Sequence, residues 1–140
     1  MTKKVALITA ASQGMGRACA LELASRGYEI ALMSRTEKIH ELAAELNGMG
    51  FQGSVDVATD LEEFVQKSLK QFGRIDVVVN NTGHPPKGKL NEITDEQWMQ
   101  GANLVLMNVV RMARLVTPIM VKQGRGSFVN ISTYSALEPS

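Results

Sequence analysis

Val5-Ala6-Leu7-Ile8-Thr9-Ala10-Ala11-Ser12-Gln13-Gly14-Met15-Gly16 begins as an apolar run and ends in two closely spaced glycines. Residues 5–9 include β-branched members and show no polar alternation, which marks a strand buried on both faces and therefore a parallel sheet. Beyond the glycines, residues 14–26 place Met15, Ala18, Cys19, Leu21 and Leu23 on a helical period, and Gly27 stands where a left-handed stop is expected. The stretch reads as strand, glycine-bearing turn, helix.

The same unit recurs along the chain. Strands are expected at residues 29–34, 51–57, 75–79 and 127–131. Between them lie a helix at 36–46 closed by Asn47-Gly48, a helix ending near Phe72, and a long helix at 94–121. Capping boxes at Thr59-Asp60-Leu61-Glu62 and at Thr94-Asp95-Glu96-Gln97 are expected to open the second and third of these. Residues 80–93 form a loop rich in Gly, Pro and Lys. Strands alternating with helices imply right-handed crossovers, hence an α/β, doubly wound parallel sheet of Rossmann-like, three-layer type with five strands in the order 3-2-1-4-5. Residues 1–140 are expected to form one dinucleotide-binding domain.

Composition narrows the function. The chain has 140 residues, 44% hydrophobic and 21% charged, which excludes a disordered chain. Fifteen basic against fourteen acidic residues leave a net charge of +1, so no field exists to hold nucleic acid or an anionic membrane. Cys19 is the single cysteine, which rules out an intrachain disulfide or a thiolate metal cluster and points to a reducing compartment, the cytoplasm. Nothing at the start of the chain reads as a secretion signal, and no apolar run is expected to reach the ~20 residues of a membrane span.

In a doubly wound sheet, ligands sit beyond the carboxyl ends of the strands where the strand order reverses. Ala10, Ser12, Gln13, Gly14, Met15 and Gly16 form the turn there. Its glycines allow backbone to approach a pyrophosphate, and the helix N-terminus offers free N–H groups and positive partial charge. After the second strand come Ser34 and Arg35. A carboxylate there would accept from the ribose hydroxyls of NAD, whereas a basic residue pairs with the 2′-phosphate of NADP, so NADP is expected ahead of NAD.

These residues resemble the short-chain dehydrogenase/reductase family over the whole chain. Thr9 to Gly16 resembles that family's Thr-Gly-x-x-x-Gly-x-Gly turn, with Ala10 in place of the first glycine. Asp56-Val57 resembles its adenine-contacting pair, and Asn80-Asn81-Thr82-Gly83 is similar to its Asn-Asn-Ala-Gly. There the resemblance implies that Asn81, Thr82 and Gly83 brace the sheet and line the nicotinamide-ribose side. Trp98, Pro118 and Met120 keep the family's spacing, and Gly126-Ser127-Phe128-Val129-Asn130-Ile131-Ser132-Thr133 looks like the strand leading to its catalytic serine. That position falls on Thr133. Gly83-His84-Pro85-Pro86-Lys87-Gly88 and Glu138-Pro139 resemble the reductases grouped beside the 3-oxoacyl-carrier-protein reductases.

The resemblance implies hydride transfer between NADPH and a ketone or alcohol, with a tyrosine and a lysine four residues apart on one helical face. The only tyrosines are Tyr28 and Tyr134, followed four residues later by Leu32 and Glu138, so no Tyr-x-x-x-Lys occurs in residues 1–140. The family pair would fall past Ser140, and on this reading the chain resembles the N-terminal, cofactor-binding portion, alone inactive, with its last strand an exposed edge. Val105 occupies the place of the family's helix asparagine. Helical rotation leaves Asn108 near the same face, while Asn103 points elsewhere.

Other residues have plainer readings. His84 reads as a solvated loop residue, His40 as helix surface, and Cys19 as a small core residue. Met107, Met112 and Met120 read chiefly as packing. The 94–121 helix is nevertheless where the family resemblance implies a homo-oligomer. The alternatives are a dinucleotide-binding or regulatory module without catalysis, and a Rossmann-like methyltransferase, which fits poorly because no acidic residue ends the second strand. No metal site is expected.

Overall fold

The computed structural model describes residues 3–138. Five parallel strands, β1 (Val5–Ile8), β2 (Glu29–Ser34), β3 (Met49–Gln52), β4 (Val77–Asn80) and β5 (Ser127–Asn130), lie in the order β3-β2-β1-β4-β5. The order is the one expected from the alternating pattern. All four residues of β1 are buried, and β2 is buried from Ile30 to Ser34, because helices cover both faces of the sheet.

Two apolar clusters form those covers. Val5, Leu7, Ala31, Met33 and Val78 point to one face and meet α3 (Ala58–Phe72) through Leu61, Phe64 and Val65. Ala6, Ile8, Ile30 and Leu32 point to the other and meet α1 (Gly14–Ser25) and α2 (Lys38–Glu45) through Ala20, Ile39, Leu42 and Ala43. Alternate residues of one strand thus enter opposite cores, as the pleat requires. Left-handed Gly27 (φ 83°) and Asn47 (φ 51°) end the first two helices where stops are expected.

Several local expectations are corrected. The third strand covers Met49–Gln52 and ends well before Val57. Val55 is buried in the loop beyond it, so an apolar residue that reads as strand is a core anchor of the connection. The box expected at Thr59 is absent: α3 starts at Ala58 with Val57 as its N-cap and no side-chain cap. Thr94 and Gln97, by contrast, do form their reciprocal capping box. The long helix is also not uniform. It runs as α4 (Asp95–Ala102), a π-helical turn (Asn103–Met107) and α5 (Asn108–Gln123), which ends at left-handed Gly124.

The segment Asp95–Gln123 carries an 18-residue window of mean hydropathy 1.6, so by length and composition it does reach what a membrane span requires. Its Asn108, Met112, Val116 and Met120, one residue per turn, lie buried against the sheet and α3. Its opposite side exposes Met99, Leu106 and Val121. Pro139 lies outside the described residues.

At the opposite end of the sheet from the glycine turn, Asp76 is buried and multiply held. Its carboxylate accepts from the Val5 N–H at 2.9 Å and pairs with Arg74 at 2.5 Å and Arg125 at 3.5 Å. Burial alone would raise its pKa, but the Arg74 hydrogen bond, the Val5 N–H and the two guanidinium charges prevail and hold it below the ordinary aspartate value.

Candidate cofactor site at the carboxyl edge of the sheet

The first βα turn is held from both neighbouring strands. Thr9 N–H donates to Val79 O at 3.1 Å, and Ala11 N–H donates to Met33 O at 3.0 Å. Between them Ala10 takes φ 48°, a left-handed conformation in which its methyl group is strained. This is the position where the resembled turn has glycine. Gly14 opens α1 at φ 56°.

Gly16 is required by closeness. A Cβ there would stand 2.6 Å from Ala10 O and 2.7 Å from Asn81 Nδ2, so helix, turn and the end of β4 meet without room for a side chain. Asn81 also donates from Nδ2 to Ala10 O at 3.1 Å. Its backbone and Thr9 bond reciprocally: Thr9 Oγ1 donates to Asn81 O at 2.7 Å and accepts from Asn81 N–H at 2.9 Å. Thr9 is a structural hub that residue type alone does not reveal, since an isolated threonine at a strand end reads as part of the strand.

The N-terminus of α1 has an extended N-cap, Gln13, no side-chain cap bond and no acidic residue in its first turn. Its leading N–H groups therefore face the carboxyl edge with nothing from the helix's own side chains competing for them. Ser12 is half-buried, while Gln13, Gly14 and Met15 are exposed, so the turn presents polar backbone at the carboxyl edge of the sheet. A pyrophosphate needs such a cradle, and these residues fit one.

Ser34 is buried at the end of β2, its hydroxyl donating to Thr36 O at 3.1 Å. Arg35 is exposed, and its guanidinium reaches 4.0 Å from where a Cβ on Gly83 would lie. It thus spans from the end of β2 to the loop after β4. Asp56 and exposed Val57 flank the same edge beyond β3, tied to β2 by the Gly53 N–H donating to Ser34 O at 2.8 Å. The structure accordingly brings Ala10, Ser12, Gln13, Gly14, Met15, Gly16, Ser34, Arg35, Asp56, Val57, Asn81, Thr82 and Gly83 to one edge.

Thr133 lies past β5, exposed and extended (φ −118°, ψ 152°), its Oγ1 accepting from Ser135 N–H at 3.4 Å. Its hydroxyl proton is therefore left to donate elsewhere. Tyr134 is exposed, and a hydrogen bond with Glu138, then desolvation, raises its pKa, opposite to the direction a proton donor working near neutrality needs. Three buried side-chain atoms lack a partner among the described residues: Asn80 Oδ1, Thr82 Oγ1 and Asn108 Oδ1. Two of them stand at the carboxyl end of β4, beside the turn. Among the described residues no group of three or more His, Cys, Asp or Glu could hold a metal ion.

A sheet of this order with this edge is the Rossmann-like NAD(P)-binding arrangement. The model of the short chain dehydrogenase family matches residues 4–140, and the chain belongs to that family. An uncharacterized oxidoreductase of Staphylococcus epidermidis is 30% identical over 141 residues, covering 99% of this chain and 61% of its own length. A 3-oxoacyl-(acyl-carrier-protein) reductase of the same species is 31% identical over 137 residues, or 93% of this chain and 56% of that protein. The crystal structure of L-sorbose reductase from Gluconobacter frateurii, complexed with NADPH and L-sorbose, matches with a TM-score of 0.94 at 30% identity over 100% of this chain and 56% of that one. The chain spans little more than half the length of these relatives.

Proposed function

We propose that this chain carries the NADP(H) site of a short-chain oxidoreductase that exchanges hydride between NADPH and a small ketone or alcohol, 3-oxoacyl-like compounds being the substrate class to try first. The observation that carries the reading is Arg35, a cation that follows directly on the last residue of β2 and reaches toward Gly83 in the loop after β4, where neither Ser34 nor Arg35 supplies the carboxylate that NAD favours. The sorbose reductase bound to NADPH and the 3-oxoacyl reductase relatives support it.

In this reading the first N–H groups of α1 and the Ser12 hydroxyl hold the pyrophosphate, and Arg35 pairs with the 2′-phosphate. Asp56 and Val57 bound the adenine. Asn81, Thr82 and Gly83 line the nicotinamide-ribose side, and the Thr133 hydroxyl holds the substrate carbonyl by donating a hydrogen bond to its oxygen. The bound dinucleotide supplies the hydride. The exposed apolar side of the long helix, with Trp98, Met99 and Leu106, is the proposed homo-oligomer surface, and the cytoplasm the proposed compartment.

The alternative reading is a dinucleotide-binding or regulatory module without catalysis. The experiment that separates the two is NADPH consumption by the full gene product with a panel of ketones that includes 3-oxoacyl thioesters. Turnover is expected. NADPH binding without turnover of any ketone would favour the module, and absence of NADPH binding would defeat both.

A further inference from the structure

Two side chains of the long helix converge on one backbone carbonyl. Asp56 O accepts from Asn103 Nδ2 at 2.8 Å and from Arg111 Nη1 at 3.4 Å. On the other side of the same peptide, the Val57 N–H donates to Ser54 O at 3.1 Å. The Asp56–Val57 peptide plane is therefore held at both its oxygen and its nitrogen. The side chain is held too, since the Asp56 carboxylate accepts from Ser54 Oγ, and the Ser54 N–H is in turn fixed on Asp60 Oδ2 at 2.8 Å.

The π-helical turn is what makes the convergence geometrically possible. Asn103 opens that turn and Arg111 lies in the first turn of α5, eight positions further on. In an unbroken α-helix, residues eight apart point about 80° away from each other. A π-turn takes up one extra residue, which leaves seven α-type steps and brings the two directions to within about 20°. None of the five residues of the turn is fully buried, and Leu104 alone among them packs against the edge of the core. The turn also places a donor on Asp56 that a count along a regular helix directs elsewhere.

We propose that Asn103 and Arg111 are positioning residues for the adenine end of the dinucleotide, clamping the Asp56–Val57 peptide so that this side of the cleft is built before the cofactor arrives. The inference deepens the cofactor reading above and rests on it. A rim fixed in advance spares the ordering that binding would otherwise require, so the clamp acts on affinity for the adenine half and leaves the nicotinamide half alone.

The test is calorimetric titration of the full chain with NADPH, with 2′-phospho-ADP-ribose and with reduced nicotinamide mononucleotide. Asn103→Asp keeps the shape of the side chain and removes its donor. Asn103→Ser serves in its place should the aspartate fail to fold. Each of these, and Arg111→Ala, is expected to weaken NADPH and 2′-phospho-ADP-ribose by about five- to tenfold, the size of one hydrogen bond, with the mononucleotide unchanged. Arg111→Lys, which can still donate, should restore most of the loss. Folded variants that bind 2′-phospho-ADP-ribose like the wild type, or lose both halves equally, would overturn the clamp while the cofactor reading stands. A wild-type chain that takes up neither NADPH nor 2′-phospho-ADP-ribose would instead remove the reading on which the clamp rests.

Discussion

Gly16 is where three elements touch, and its demand is for space. Gly16→Ala would push a methyl group to 2.6 Å from Ala10 O and 2.7 Å from Asn81 Nδ2, and the first of these is backbone that cannot swing aside. We expect a loss of about 1–3 kcal/mol in thermal or urea unfolding, together with weaker dinucleotide binding because the turn must shift. Unchanged stability and affinity would mean that α1 sits further from β4 than described. Asp76 makes a different kind of demand, for charge. Its carboxyl is held below the usual range, so the stability it contributes is complete above the unfolded aspartate value of about 3.9 and is lost as pH falls through the lowered folded value. Asp76→Asn should cost about 2–3 kcal/mol near neutral pH, because the ion pair of Asp76 with Arg74 is lost and the Val5 N–H loses a charged acceptor. The same variant should flatten the decline of stability below pH 4. Urea midpoints measured across that range check both effects, and an unchanged acid limb would remove Asp76 as its source.

At the scale of the element, what was legible depended on whether the signal is local. β2 lies where the apolar run Ile30-Ala31-Leu32-Met33 places it, and Thr94 caps α4 because its partner Gln97 stands three residues away. β3 departs from the expected 51–57 because Phe51 and Val55 are both buried, one in a strand and one in the loop beyond it, and an apolar pattern alone does not distinguish the two. The π-turn leaves no mark in the sequence, since the buried stripe of Asn108, Met112, Val116 and Met120 begins only after it and α4 before it has no buried residue whose spacing could reveal the extra step. The glycine turn, Arg35 and the Asn81 region could be read because each follows a strand whose place was already known. Asn103 and Arg111 could not, because their partner Asp56 lies 47 and 55 residues away in the chain. The outer side of the same helix carries its own expectation. Leu106 is 60% exposed, so Leu106→Asp should leave the fold intact while shifting sedimentation equilibrium toward monomer. A wild-type protein that is monomeric at every concentration would contradict the proposed surface.

Across the whole molecule, the two ends of the sheet have separate tasks. The amino end is closed by Asp76 with Arg74 and Arg125, a network that holds β1 to β4 and secures the start of β5. The carboxyl end is left open and polar, with the helix terminus, Arg35, the Asp56 loop and the Asn81 loop along one edge of the sheet. Among the described residues β5 pairs only with β4, so one side of the sheet presents an unpaired edge near Thr133. The open end is proposed to hold a dinucleotide whose 2′-phosphate Arg35 reads. Titration of the wild type and of Arg35→Ala with NADPH and with NADH tests it most directly. The wild type is expected to bind NADPH more tightly than NADH, and Arg35→Ala to lose about 10- to 100-fold of NADPH affinity with little change for NADH. Equal affinity of the wild type for the two cofactors, or a loss that is the same for both in the variant, would contradict it.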